Sequence, residues 1–154
     1  MNKYSVVFID DATNLVTSHE GHLLDRCYKR GVNLVTFSDY SGLIKAIEEW
    51  DKEKLGIPVL AIVDMWLEDK DKSVPYRMGG IDVLRALKKI NERVYFVIYS
   101  AHITDRPDDP YRMALTQFSL KTIIKKEPRN VATLLDTLSK ALDDMGFSAT
   151  PEIT

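Results

Sequence analysis

Carboxylates, a hydroxyl and a lysine stand at the ends of short apolar runs in this sequence. Val6-Val7-Phe8-Ile9 runs into Asp10-Asp11, Pro58 to Val63 into Asp64, Val94 to Tyr99 into Ser100, and Leu120 to Ile124 into Lys125-Lys126. Carboxylates gathered in one place repel one another unless a cation joins them. An all-oxygen set without His or Cys suits a hard ion such as Mg²⁺, which keeps several waters and commonly takes one or two carboxylates plus a phosphate oxygen. Each residue taken singly has a plainer reading. An isolated Asp-Asp is more often an acidic helix cap, Ser100 a strand-end hydroxyl bonded to a nearby carbonyl, and the lysine a solvated cation. Recurrence of all of them at run ends is what points to a shared site.

The elements that must position them follow from hydrophobic patterning. Val6–Ile9, Leu34–Phe37, Pro58–Val63, Val94–Tyr99 and Leu120–Ile124 have the length and the Val, Ile, Phe and Tyr content of buried strands. Between them, apolar residues recur at helical spacing: Leu15, Leu23, Leu24 and Cys27; Leu43, Ile44 and Ile47; Ile81, Leu84, Leu87 and Ile90. The last such segment carries Val131, Leu134, Leu135, Leu138 and Leu142, with Gly146 as a stop signal. Near-continuous apolar strands joined by amphipathic crossover helices imply a doubly wound α/β fold, a parallel sheet covered on both faces. Open sheets of this kind bind ligands beyond the carboxyl ends of their strands, where the acidic and hydroxyl residues fall. Two long polar stretches, 68–78 and 102–110, follow strands on the same side, and 148–154 reads as a C-terminal tail.

Composition narrows the function classes. The chain has 154 residues, 45% of them hydrophobic, which fits one domain, here taken as 1–147, since a core usually needs ~100 to 200 residues. A net charge of -2 offers no general attraction to nucleic acid or to an anionic membrane. Cys27 is the only cysteine, so neither an internal disulfide nor a thiolate metal site is expected. The four apolar residues before Asp10 are too few for a signal core or a bilayer span. A cytoplasmic location is the expectation, with output passing to a separate molecule because the length leaves no room for an effector domain.

Acid pair, acid, hydroxyl and lysine in this chain order resemble the receiver domain of bacterial two-component response regulators, over about residues 4 to 145. Val6-Val7-Phe8-Ile9-Asp10-Asp11 is similar to the family's first strand and acidic pair. Asp64-Met65-Trp66-Leu67 is similar to its phosphoacceptor segment, and Gly80-Ile81-Asp82-Val83-Leu84 to the Gly-x-x-x-Leu that opens its third helix. The resemblance implies a five-stranded parallel sheet of flavodoxin-like order 2-1-3-4-5. It implies Asp64 as the phosphoacceptor, with Asp10, Asp11, Asp64 and the backbone carbonyl of Trp66 as the Mg²⁺ set. Ser100 and Lys125 would neutralise phosphoryl oxygens, and the amides of Met65 and Ala101 would complete the cradle. Of the two adjacent lysines, Lys125 is preferred over Lys126 because it directly follows the apolar pair Ile123-Ile124.

Departures from the family pattern are also visible. Lys125-Lys126-Glu127-Pro128 separates lysine from proline, Glu68 stands where a proline usually follows Leu67, and Asp64 to Gly80 spans 16 residues. The added residues, among them Lys72 and Arg77, read as a solvated insertion. The switch aromatic that usually lies three residues before the lysine falls on Thr122. Trp66 and His102 follow Asp64 and Ser100 at two residues' distance, where bulk would shield a phosphoryl group from water. The expected function is a single-domain phosphoacceptor signalling protein that takes its phosphoryl group from a sensor histidine kinase or phosphotransfer protein. It would act on an unidentified downstream protein as a monomer or weak homodimer, with no chemistry beyond its own phosphorylation and slow dephosphorylation. A receiver-like binding module that is not phosphorylated is the alternative. A flavin carrier would want a glycine- and hydroxyl-rich loop in place of Asp10-Asp11-Ala12, and an aspartate-nucleophile phosphohydrolase would want an acid at Trp66.

Overall fold

The computed structural model describes residues 2–10, 13–37, 43–64, 79–101, 112, 116 and 122–149. Strands β1 (Tyr4–Ile9), β2 (Asn33–Phe37), β3 (Ile57–Val63), β4 (Tyr95–Ser100) and β5 (Thr122–Lys125) are interspersed with helices. Those helices are α1 (Thr13–Lys29), α2 (Leu43–Glu48), α3 (Lys52–Leu55), α4 (Gly79–Ile90) and α5 (Val131–Asp144). The strands form one sheet of order β2-β1-β3-β4-β5. Every pairing in it is parallel.

Both faces of the sheet are buried, and strand periodicity sorts the side chains between them. Val7, Ile9, Ala61, Val63, Phe96 and Ile98 pack with Leu43 and Ile47 of α2 and Leu84 and Leu87 of α4. Val6, Phe8, Leu60, Ile62, Val97, Tyr99 and Ile124 pack with Leu23 and Cys27 of α1 and Leu134, Leu138 and Leu142 of α5. This is why the strands read as unbroken apolar runs while α1, α2, α4 and α5 show one apolar stripe each. Leu24 departs from expectation: it is exposed on α1, and the stripe runs through Leu23 and Cys27 instead.

Helix α5 stops where the sequence placed its signal. Gly146 takes φ 94°, its N–H donates to Asp143, and Phe147 N–H reaches back to Leu142 at 2.8 Å. This paired closure needs a left-handed residue that a β-carbon would strain. Phe147 then packs edge-on against Tyr4, with ring centroids 5.3 Å apart. Arg30 donates to Asp143 at 3.0 Å and ties the chain just after α1 to α5. These contacts hold the α1 and α5 layer against the face of the sheet that continues into the site.

Candidate functional site

The ladder of hydrogen bonds runs one residue past the strand ends, and that extension places the polar groups. Asp10 N–H donates to Phe37 carbonyl at 3.1 Å, Asp64 N–H to Ile9 carbonyl at 3.0 Å, and Lys126 N–H to Ser100 carbonyl at 3.0 Å. Asp10 is thus the first residue beyond β1, Asp64 the first beyond β3 and Lys126 the first beyond β5, while Ser100 ends β4. Their backbones are anchored, so the side chains meet at one edge.

Asp10, Asp64 and Ser100 are all buried, at 1%, 3% and 0% exposure. Lys126 Nζ lies 2.6 Å from Asp10 Oδ2 and 2.6 Å from Asp64 Oδ2. Two carboxylates removed from water at this separation are costly unless a cation stands between them, and the ammonium supplies it. Burial by itself pulls the Lys126 ammonium down. The carboxylates of Asp64 and Asp10 outweigh that and hold it above the ordinary lysine value.

Of the two lysines, the structure places Lys126 and not the expected Lys125 against the carboxylates. Lys125 is 60% exposed in its side chain and pairs with Glu127 at 3.4 Å. Parity explains this. Successive strand residues face opposite sides, and Ile124 belongs to the α1 and α5 face. Lys126 keeps that parity, as Asp10 does after Phe8 and Asp64 after Ile62, whereas Lys125 shares the opposite face with Ile123. The apolar run suggested a strand ending at Ile124, but β5 extends to Lys125. Counted from Lys126, the position three residues earlier is Ile123, and the Thr122 hydroxyl is occupied 2.6 Å from the Tyr95 hydroxyl.

Asp11, Trp66, His102 and the stretch 68–78 lie outside the described residues, as does Met65. Ala101 is exposed directly beyond Ser100. Among the described residues no three His, Cys, Asp or Glu side chains are grouped to hold a metal. Asp10 and Asp64 nevertheless fit a hard cation, because both present buried oxygens that already share a positive charge, here that of Lys126.

Two aromatic residues beneath the carboxylates escaped the sequence reading. Tyr99, buried in the α1 and α5 face, has its ring centroid 5.9 Å from Lys126 Nζ and stacks with His19 of α1 at 6.4 Å and 22°. Burial, with the Asp10 carboxylate adding to it, raises the Tyr99 phenol above its ordinary value despite the opposing Lys126 charge. Tyr99 was legible only as a strand residue. Nothing local in the sequence marked His19 as its neighbour.

A comparison of the sequence with protein-family models gives no match, and a comparison with curated proteins gives none. Solved structures do match. A CheY-like response regulator receiver domain protein from Methanospirillum hungatei JF-1 has TM-score 0.65 at 16% identity, with 95% of this chain and 98% of that one covered. The phosphorylated cyanobacterial phytochrome response regulator RcpA has TM-score 0.60 at 17% identity, covering 97% and 98%. The Mn²⁺-bound form of response regulator Rcp1 has TM-score 0.56 at 14% identity, covering 99% of each chain. The chain therefore has the fold of response regulator receiver domains, with the same sheet order that the resemblance implied.

Proposed function

We propose that this chain is a phosphoacceptor signalling protein in which Asp64 receives a phosphoryl group from a histidine kinase or phosphotransfer protein. The observation that carries the reading is the Lys126 ammonium held at 2.6 Å from both Asp10 and Asp64 at the carboxyl edge of the sheet. A buried nucleophilic carboxylate with a fixed cation on one side and the hydroxyl residue Ser100 at the same edge is suited to phosphoryl transfer, which depends on positioning and charge neutralisation. Two neighbours in fold, one phosphorylated and one holding Mn²⁺, support the same chemistry for this site.

In the proposed reaction an Asp64 carboxylate oxygen attacks phosphorus as the bond from phosphorus to the donor nitrogen breaks. The donor ring, protonated on its other nitrogen, keeps the electron pair of the broken bond and leaves as neutral imidazole, and an acyl phosphate remains on Asp64. Asp10, Asp11, Asp64 and the Trp66 carbonyl would hold Mg²⁺, which supplies neutralisation of the phosphoryl oxygens. Lys126, displaced toward the phosphate, contributes a second positive charge from a side chain already near Asp64, and Ser100 offers a hydroxyl donor. Hydrolysis of the acyl phosphate is slow, and output goes to a separate protein. Among the described residues no helix is long and apolar enough to cross a membrane. We place the chain in the cytoplasm, with the kinases that would serve it.

Incubation with acetyl phosphate and Mg²⁺, followed by intact mass measurement, tests the assignment. The expected result is a phosphate-sized gain in the wild type and none in Asp64→Ala. A wild type that stays unmodified would overturn it. The Ile123 side chain at the position counted back from Lys126 favours a second reading, a receiver-like binding module. That module would bind neither beryllofluoride nor phosphate at Asp64.

A further inference from the structure

Beneath the charged edge, two side chains from separate elements meet one ring. Tyr99 of β4 touches both an imidazole and an ammonium: His19 of α1 stacks on it at 6.4 Å, and Lys126 Nζ lies 5.9 Å from its centroid. Both distances fall within the range where aromatic stacking and cation–π attraction operate. Nε2 of His19 is buried with no hydrogen-bond partner among the described residues.

We propose that His19 and Tyr99 are positioning residues for Lys126, and that a proton on His19 loosens the ammonium from Asp10 and Asp64. This rests on the phosphoacceptor reading of Asp64. Neutral His19 leaves the electron-rich face of Tyr99 to the ammonium. An imidazolium puts a second cation against the same ring and repels Lys126. Lys126 is then held less firmly over the ring and beside Asp64, the place from which it would neutralise an arriving phosphoryl group, and phosphorylation of Asp64 slows in mild acid.

The charged and titratable groups that face His19, among the described residues, are Asp10 beyond β1, His22 on α1, Tyr99 on β4 and Lys126 beyond β5. Burial lowers the His19 value first. Asp10 opposes that, and His22 and Lys126 add to it, so the imidazole is held below its ordinary 6.5. Neutral His19 is therefore the resting form near neutrality, and its protonation marks an acid shift. In linkage terms, removing Lys126 must move the His19 titration upward, because a repelling charge is lost and Asp10 is left unshared.

Two measurements test the proposal. The first follows the His19 imidazole by NMR in metal-free protein. It is expected to titrate at higher pH in Lys126→Met than in the wild type, and an unchanged titration overturns the coupling. Should Lys126→Met fail to fold, the Lys126 ammonium resonance is read instead. It should shift through the His19 titration in the wild type and stay level in His19→Gln, and equal shifts overturn the coupling. The second compares initial rates of acetyl phosphate labelling at about pH 5.5 and about pH 7.5, either side of the ordinary histidine value. The wild type should lose roughly two- to fivefold more rate in acid than His19→Gln, the size of a modest cation–π contact. Parallel profiles overturn the regulatory role. Absence of labelling in every variant at both pH values defeats the phosphoacceptor reading instead, while the imidazole titration still decides whether His19 senses Lys126.

Discussion

The two edges of the sheet close in opposite ways. At the amino edge, neutral groups satisfy one another: Asn33 donates to the carbonyls of Asn2 and Leu55, Asn91 to Pro58, and Trp50 Nε1 to Gly56 at 2.7 Å. Gly56 itself has φ 85°, and a β-carbon there would lie 3.0 Å from the Tyr4 carbonyl carbon. At the carboxyl edge the groups are charged, and Lys126 bridges Asp10 and Asp64. Neutral hydrogen bonds to backbone are finished contacts with nothing further to accept. A shared ammonium can be exchanged for another cation, so the carboxyl edge is stable only while some positive charge is present. One sheet keeps its charged, exchangeable contacts at the carboxyl edge and its neutral, fixed ones at the opposite end.

Substitutions at the two edges should therefore separate stability from chemistry. Lys126→Met is expected to have the largest effect. Phosphate labelling should fall by about 10²-fold, as when one preorganised charge donor is removed. Unfolding free energy should drop by roughly 3 kcal/mol, because two buried carboxylates lose their cation. Urea titration should show part of that loss restored by Mg²⁺. Gly56→Ala comes next, with a loss of about 1 to 3 kcal/mol from backbone strain and close approach. Its labelling rate should stay within about twofold of wild type, since nothing at the carboxyl edge has changed. A labelling loss as deep as that of Lys126→Met would erase the distinction between the edges.

A pH series sharpens the same contrast. The folded-state value of Lys126 lies above the unfolded 10.5, so its contribution is fully present below that value and disappears as pH rises through the folded one. Thermal unfolding of the wild type should show an alkaline decline above the ordinary lysine value that Lys126→Met lacks. The smallest effect belongs to Lys125→Met. Lys125 and its partner Glu127 are solvated, and exposed pairs of this kind contribute little. Neither melting temperature nor labelling should move measurably.

Much of the architecture was legible from local pattern. Strand runs, the α5 stripe and the Gly146 stop are consequences of burial and backbone preference, which act over a few residues. The choice of lysine was not, because Ile123-Ile124-Lys125 continues an apolar run in the same way whether the strand ends at 124 or 125. One residue of extension reverses which lysine faces the carboxylates.

The residue order by itself determined that this chain would carry acids, a hydroxyl and a lysine at the ends of buried parallel strands, since burial pattern and side-chain type are local properties. Only the tertiary structure decided that Lys126 occupies the space between Asp10 and Asp64 and that His19 stacks on Tyr99 below it. Those meetings depend on strand register and helix packing between segments far apart in the chain. No local propensity encodes them.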